Sequence, residues 1–473
     1  MPVGLETPLQ GGTKPSAFAA QLQWRVHHYL QNGDWEARIE LAKHDFMKLA
    51  ALVSLPLTLM LALLLRIVLK SSKPFLHIRF ARWSSCSLGI WAIPTEVHLC
   101  QRDARMHPKR CLDLFFRYDK DAFVLKPSVR RSSAICNKEL DKMFRFHLRL
   151  WQGAQFLDYL NRLLSRGSEE FILKMPDPYD RYGLFERFPT HLAFTKEEER
   201  RGKEGLRELG IEPGSPFVCF HTRGEAYLYR IRPRIVSLYG DWAHNDVRNA
   251  SIHNYLLAAE KLADLGYTVI RMGKHVEEPI HSDNPRIIDY AWNHQSDFMD
   301  IYLSARCTFF IGQISGMTSV PMVFRRPVAF VNAYEMSEYR YCSHPNSVFI
   351  PKKFYSARES RLLNFREMVE LGFINYHPKF TKQRALFDEL GMEIHENTPE
   401  EIAEVVIEVH QRLQGTFALS EEDEELQRRF VCFLRSYPDV IGLEEGRPLR
   451  IGAHFLRTNQ ELLDEVRDEC LSV

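Results

Sequence analysis

Basic and hydroxyl side chains recur in this 473-residue sequence wherever an apolar run breaks off. Phe217-Val218-Cys219-Phe220 gives way to His221, Arg223, Gly224 and Glu225. Val269-Ile270 gives way to Arg271, Gly273 and Lys274, and Phe309-Phe310-Ile311 to Gly312, Gln313, Ser315 and Gly316. If each run is a buried strand, these residues stand at its carboxyl end, the edge where open α/β sheets bind ligands. Arg223, Arg271 and Lys274 then converge there, with Arg248 in the stretch after the first run. Guanidinium forks suit a diphosphate better than a lone ammonium does. Gln313-Ile314-Ser315-Gly316 leads into a helical pattern from Met317, and free amides, a hydroxyl and a helix dipole favour a phosphate. The expected anion-binding set is Arg223, Arg248, Arg271, Gly273, Lys274, Gln313, Ser315 and Gly316.

For proton transfer the candidates are His221, Glu225, Asp241 and Asp246. His221 and Arg223 share a face if the strand persists between them. His221 reads equally well as a core histidine hydrogen-bonded beneath the site. Glu225 and Asp241 fall in loops above the sheet, where a catalytic carboxylate belongs. None of the glycine patterns is a dinucleotide or P-loop fingerprint, which disfavours NAD and ATP. No Asp-x-Asp pair closes any of these apolar runs, so no metal ligands are expected there.

Those residues need a scaffold, and the surrounding pattern supplies one. Strands are expected at Pro216–Phe220, Tyr267–Ile270, Arg286–Tyr290, Thr308–Ile311 and Pro327–Val331, the last ending at Asn332. Between them Ser251 caps a helix with apolar positions at the 3.6-residue period, Gly266 closes it, and Ser296 caps another through Leu303. Alternating strands and helices imply a parallel sheet with helices on its faces. This α/β domain is expected over 193–415, opened by a capping box at Thr195 and Glu198. A first α/β domain is expected over 71–192, with strands at Phe75–Phe80, Glu96–Leu99 and Leu112–Phe116 and an amphipathic helix over Glu139–Leu164. A helix with proline in its first turn starts after Asn397. Residues 416–473 read as charged helices packing back on the body.

Length favours two domains. The net charge of +1 gives no reason to expect nucleic acid. Nine cysteines, odd in number and without close spacing, suggest reduced thiols. Residues 1–45 are polar with helical patches, and 46–70 read as a membrane anchor. Leu49 to Leu65 carries no charge and would span about 25 Å as a helix. Arg66, Lys70, Lys73, Arg79 and Arg82 crowd its C-terminal flank, which places the following domains on the cytoplasmic face. Pro56 leaves both a spanning and a re-entrant path open.

His221-Thr222-Arg223-Gly224-Glu225, Asn245-Asp246-Val247-Arg248-Asn249 and Val269-Ile270-Arg271-Met272-Gly273 together resemble a family of bacterial glycosyltransferases associated with surface polysaccharides. Ile288-Asp289-Tyr290-Ala291, Ser296-Asp297-Phe298 and Gly312 with Ser315-Gly316 continue the match in order, over about residues 195–335. The resemblance implies two Rossmann-like domains in the GT-B arrangement. It also implies a UDP- or GDP-linked nucleotide-sugar donor and a glycan or lipid-linked acceptor. More loosely, the His-x-Arg strand end and the later Gly-x-x-Ser-Gly turn are similar to GT-B fucosyltransferases, where such an arginine, here Arg223, faces the donor diphosphate. That pattern continues with a basic residue and an aspartate, whereas this chain has Gly224-Glu225. Two rivals keep the fold: a membrane-tethered scaffold without catalysis, and a transferase for a phosphoryl or pyruvyl group.

Overall fold

The computed structural model describes residues 35–117, 135–165, 169–224, 226, 247–372, 387, 389–437 and 450–463, with side chains described from residue 53 onward. Glu225, Asp241 and Asp246 lie outside the described residues.

The chain enters through one long helix, α1 (Trp35–Ser72), which contains Pro56. Its Val53–Ser72 stretch has a mean hydropathy of 2.0 and is long and apolar enough to cross a membrane. Only Ala62 and Leu69 are buried in that stretch, while Val53, Leu57, Leu63, Ile67 and Val68 are exposed. Strands β1 (His77–Arg82) and β2 (Cys111–Phe116) follow and pair in parallel, His77 opposite Cys111. The buried helix α2 (Leu88–Asp103) connects them. Single-residue bridges from Ile172 to Phe80 and from Leu150 to Phe115 widen this sheet.

Alternation along the two strands builds the layers. Ile78, Phe80, Leu114 and Phe116 meet Leu65 and Leu69 of α1, together with Ala154 and Leu157 of a later helix. Ala81 and Phe115 join a core with Trp91 and Val97 of α2. The end of α1 is therefore a wall of this first domain.

Here the structure departs from the sequence pattern. Glu96–Leu99 is no strand but the middle of α2, where every residue from Trp91 to Cys100 is buried. A fully buried helix lacks the polar stripe that separates it from a strand. The expected helix over Glu139–Leu164 is two, α3 (Lys138–Arg145) and α4 (Ala154–Leu163), because Leu150 crosses between them to bridge Phe115. Among the described residues the first domain shows these two strands and two bridges.

The second domain builds a larger parallel sheet. After α5 (Lys196–Glu208), whose Thr195–Glu198 capping box forms as expected, come β3 (Phe217–His221), a 3-10 turn at Ile252–Tyr255 and α6 (Leu256–Asp264). Then follow β4 (Thr268–Arg271), β5 (Ile287–Ile288), α7 (Asp297–Arg306), β6 (Phe310–Gly312), α8 (Ser319–Val323), β7 (Val328–Ala333) and β8 (Val348–Pro351). The strands form one parallel sheet ordered β5-β4-β3-β6-β7-β8. This is the doubly wound Rossmann order, and its reversal between β3 and β6 opens a crevice at their carboxyl ends. The third strand is shorter than expected because Asp289 caps a short helix from Tyr290, accepting from the Trp292 amide.

Beyond Asn332, where the sequence shows no periodicity, the chain adds β8 and a small antiparallel sheet of β9 (Lys353–Ser356), β10 (Arg361–Leu362) and β11 (Met392–His395). Helices α9 (Pro399–Gln414), α10 (Glu421–Arg435) and α11 (Ala453–Thr458) close the body. Asn332, at a φ of 55°, exchanges backbone-to-side-chain bonds of 2.5 and 2.7 Å with Asn397 and so fixes the start of α9 to the end of β7.

The two domains share one apolar core. Gly89, in the first turn of α2, meets Gly316 backbone to backbone: a Cβ on Gly89 would lie 3.5 Å from Gly316 Cα. At the other end of this seam the fully buried Glu96 accepts from Arg325 at 2.7 Å and from His191 at 3.1 Å.

Candidate functional site

The reversal of strand order puts the ends of β3 and β6 side by side, and Gln313 organises what stands there. Its Oε1 accepts the Arg223 amide at 2.8 Å, and its Nε2 donates to the Arg248 carbonyl at 2.7 Å. Gln313 is itself buried, so one amide side chain fixes two arginine-bearing segments. Arg248 also donates to the Ile314 carbonyl at 3.2 Å. Both arginine side chains stay half-buried at the edge of the crevice.

The floor beneath them was not legible in the sequence. Glu338, from the 3-10 turn Met336–Tyr341 after β7, is buried with Oε1 3.9 Å from Arg248 Nη2 and Oε2 accepting the Tyr334 amide at 3.1 Å. Burial pushes its carboxyl up to about 8, against the pull of Arg248, and the nearby Glu335 adds to the rise. Lys352, just past β8, is buried and donates to the Asn249 carbonyl at 2.5 Å. Burial pulls its ammonium down to about 8. Arg223 and Arg248 thus bring two guanidinium groups to one sheltered edge, and a carboxyl held up to about 8 opposes them less than an ordinary carboxylate would, which favours an anion there. The carboxyl-end rule applied to β7 and β8 would have pointed to these two groups.

The other sequence candidates divide. His221 caps β3 with Nδ1 3.1 Å from the Met272 carbonyl, so that nitrogen carries the proton and the ring ties two strand ends together. Burial, with Arg271 and Arg223 nearby, pulls it down to about 4 and keeps it neutral. Arg271 does not join the anion set: it is buried, with Nη1 2.6 Å from the Glu278 carbonyl and 3.2 Å from Asp289. A strand-end cation with a carboxylate in reach folds onto it rather than into the crevice. Lys274 likewise pairs with Asp297 at 2.6 Å and reaches the Cys136 carbonyl at 3.3 Å, joining the domains. Gly273 has a φ of 154°, and a Cβ there would meet Val276 at 2.9 Å, so its role is the turn.

At Ser315 two amides of the turn, those of Ser315 and Thr318, are engaged by side-chain hydroxyls. Ser315 N donates to Thr318 Oγ1 at 2.9 Å, and Thr318 N to Ser315 Oγ at 3.3 Å. The helix that follows, α8, has a single turn and a weak dipole. Gly316 serves instead as the close approach to Gly89, bringing the first turn of α2 against this edge. Glu225 and Asp241 belong to segments outside the described residues.

One cluster in the seam has metal-ligand composition: Glu96, Cys100 and His191 bring donor atoms within 4.8 Å of one another. Arg325 already supplies the cation, 2.7 Å from Glu96 and 3.4 Å from Cys100 Sγ. Burial and Glu96 push the Cys100 thiol up to about 12. Burial works against a charged His191, but Glu96 and Asp103 outweigh it and raise its pKa. With the Arg325 guanidinium between Glu96 and Cys100, the cluster is an ion-pair hub that ties the seam together.

No family model and no curated protein matches this chain. Solved structures similar to it include the E. coli ADP-heptose LPS heptosyltransferase II, at 12% identity over 66% of this chain and 99% of that one, with a TM-score of 0.32. A family 9 glycosyl transferase from Veillonella parvula aligns at 10% identity over 72% and 98%, TM-score 0.39. The iron-containing dodecameric glycosyltransferase TibC of enterotoxigenic E. coli H10407 aligns at 11% over 71% and 78%, TM-score 0.33. Likeness at this level assigns no activity, and the functional reading rests on the geometry of the edge itself.

Proposed function

We propose that this chain is a glycosyltransferase of GT-B type, moving a sugar from a UDP- or GDP-linked donor to a glycan or lipid-linked acceptor. The observation that carries the reading is the Gln313 clamp, which holds Arg223 and Arg248 at the switch point of a Rossmann-ordered sheet over the buried Glu338. The donor diphosphate lies against these two arginines. The acceptor hydroxyl oxygen attacks the anomeric carbon, and the bond from that carbon to the diphosphate oxygen breaks. The nucleoside diphosphate leaves with the electron pair, and Arg223 and Arg248 stabilise the charge that builds on it. The hydroxyl proton passes to a base, for which the unprotonated Nε2 of His221 is a candidate at this edge and Glu225 and Asp241 are candidates from the sequence. The first domain presents the acceptor across the seam where Gly89 faces Gly316.

The exposed apolar surface of α1 supports a membrane-attached enzyme. Basic residues Arg66, Lys70 and Lys73 at its C-terminal end support domains on the cytoplasmic face.

The test is thermal stabilisation of the detergent-purified chain by UDP, GDP, CMP and their sugars. A ligand that binds only the folded state raises the melting temperature with its excess over Kd. A shift with one nucleotide family, lost in Arg223→Ala, is expected. No shift with any nucleotide in a well-folded sample would leave the scaffold reading, which the structural pairing of Arg271 and Lys274 favours.

A further inference from the structure

The first domain carries a cavity of about 810 Å³ at the far end of α2, between the start of β2 and the segment after α3. Helix α2 begins at the seam with Gly89 and ends at Asp103, so the cavity lies about 20 Å from the crevice, at 1.5 Å per helical residue. Its rim is basic: Arg102, Arg105, Lys109 and Arg149 all line it and all are exposed. Arg105, Lys109 and Arg149 have no ion pair among the described residues. The acid in the wall, Asp113, is held by Arg79 at 2.7 and 2.9 Å, so it does not neutralise the rim.

The floor is also set for a polar guest. His98 is 2% exposed, yet its Nδ1 has no hydrogen-bond partner, and neither has the buried Nε2 of His107. The two rings lie 4.8 Å apart, and burial followed by His107 pulls His98 down to about 3, which keeps the ring neutral. Cations near a helix C-terminus commonly answer its dipole. That accounts for Arg102, which donates to the His147 carbonyl at 3.3 Å. It does not account for Lys109 or Arg149, which come from other elements. Arg105 sits at a φ of 58°, a position where glycine is the ordinary choice after a helix.

We propose that this cavity is a second anion site, which takes a phosphoryl group, single or as a diphosphate, apart from the edge assigned to the donor. Three unpaired cations from two chain segments match a multiply charged tetrahedral group better than a carboxylate, and arginine forks engage its oxygens in pairs. The rim residue Phe146, 79% exposed, leaves room for an apolar or sugar portion of the same ligand. This inference stands on residues that the donor reading does not use.

The experiment is calorimetric titration of the full chain with inorganic pyrophosphate at about 0.15 M salt, where exposed long-range attraction is largely screened. Saturable binding at two sites is expected. Combined Arg105→Ala, Lys109→Ala and Arg149→Ala should remove one site or weaken it at least tenfold, while Arg223→Ala removes the other. All three rim residues are exposed, so the folded state should tolerate their loss, which an unchanged melting temperature would verify. Unchanged stoichiometry and affinity in the rim variant would overturn the proposal. Short-chain phosphatidic acid and a hexose 1-phosphate are then used as competitors in the Arg223→Ala background. Displacement by the lipid alone assigns a lipid headgroup, and displacement by the sugar phosphate assigns a soluble or glycan-borne phosphate. Displacement by neither overturns the site.

Discussion

At the scale of single residues, charge state decides what the crevice can bind. Folded Glu338 holds its proton to about pH 8, whereas the unfolded chain releases it near 4.5. Between those values the unfolded state binds fewer protons, so stability falls as pH rises across that window. Glu338→Gln should flatten this slope. In urea melts between pH 5.5 and 8, wild type is expected to lose about 1–3 kcal/mol more than the variant. Lys352 acts in a separate window: its ammonium is pulled down to about 8 from 10.5, so its own contribution rises with pH only above 8. Gln313→Ala should leave the fold intact and free Arg223 and Arg248 from their common clamp. The donor KM is expected to rise roughly 10- to 100-fold, in line with the cost of small misplacements. An unchanged KM would show that the clamp does not position them.

At the scale of elements, small residues set how closely helices and turns approach. On α5, a Cβ at Gly202 would fall 2.1 Å from the Tyr302 ring of α7, and one at Gly205 2.5 Å from Met299. Gly202→Ala should therefore destabilise by about 1–3 kcal/mol through overpacking, measured as a fall in melting temperature. The same scale shows what the sequence could disclose. Apolar runs breaking at His221, Arg271, Gly312 and Asn332 marked β3, β4, β6 and β7 because a buried parallel strand is apolar throughout and its end is not. Capping at Thr195 was readable because both partners are local. The pairing of Arg271 with Asp289 was not, since it depends on how two strand ends meet across space. Nor was α2, whose burial between domains erases the periodicity that identifies helices. Glu338 escaped because it lies in a 3-10 turn whose depth only the packed fold reveals.

At the scale of the whole molecule, the seam between domains is a closed ionic and apolar contact. Arg325→Met should strand Glu96 beside His191 alone, a loss of about 3 kcal/mol by the usual cost of breaking a buried pair. The melting curve is expected to shift down and to split into two transitions as the domains uncouple. A chain beginning at Ala62 retains Leu65 and Leu69 against Phe80 and Phe116, and should fold; one beginning at His77 should not, having lost that wall. Burial of Leu69 and the partial burial of Leu65 account for about 2–4 kcal/mol of that difference. Helix α2, enclosed from Trp91 to Cys100, also bears on tempo. Swinging the domains apart would wet that whole segment and the Glu96 carboxylate together, so wide opening is a rare event on the scale of turnover. On the proposed reading, sugars and products then pass by local rearrangement at the rim of the crevice rather than by a hinge.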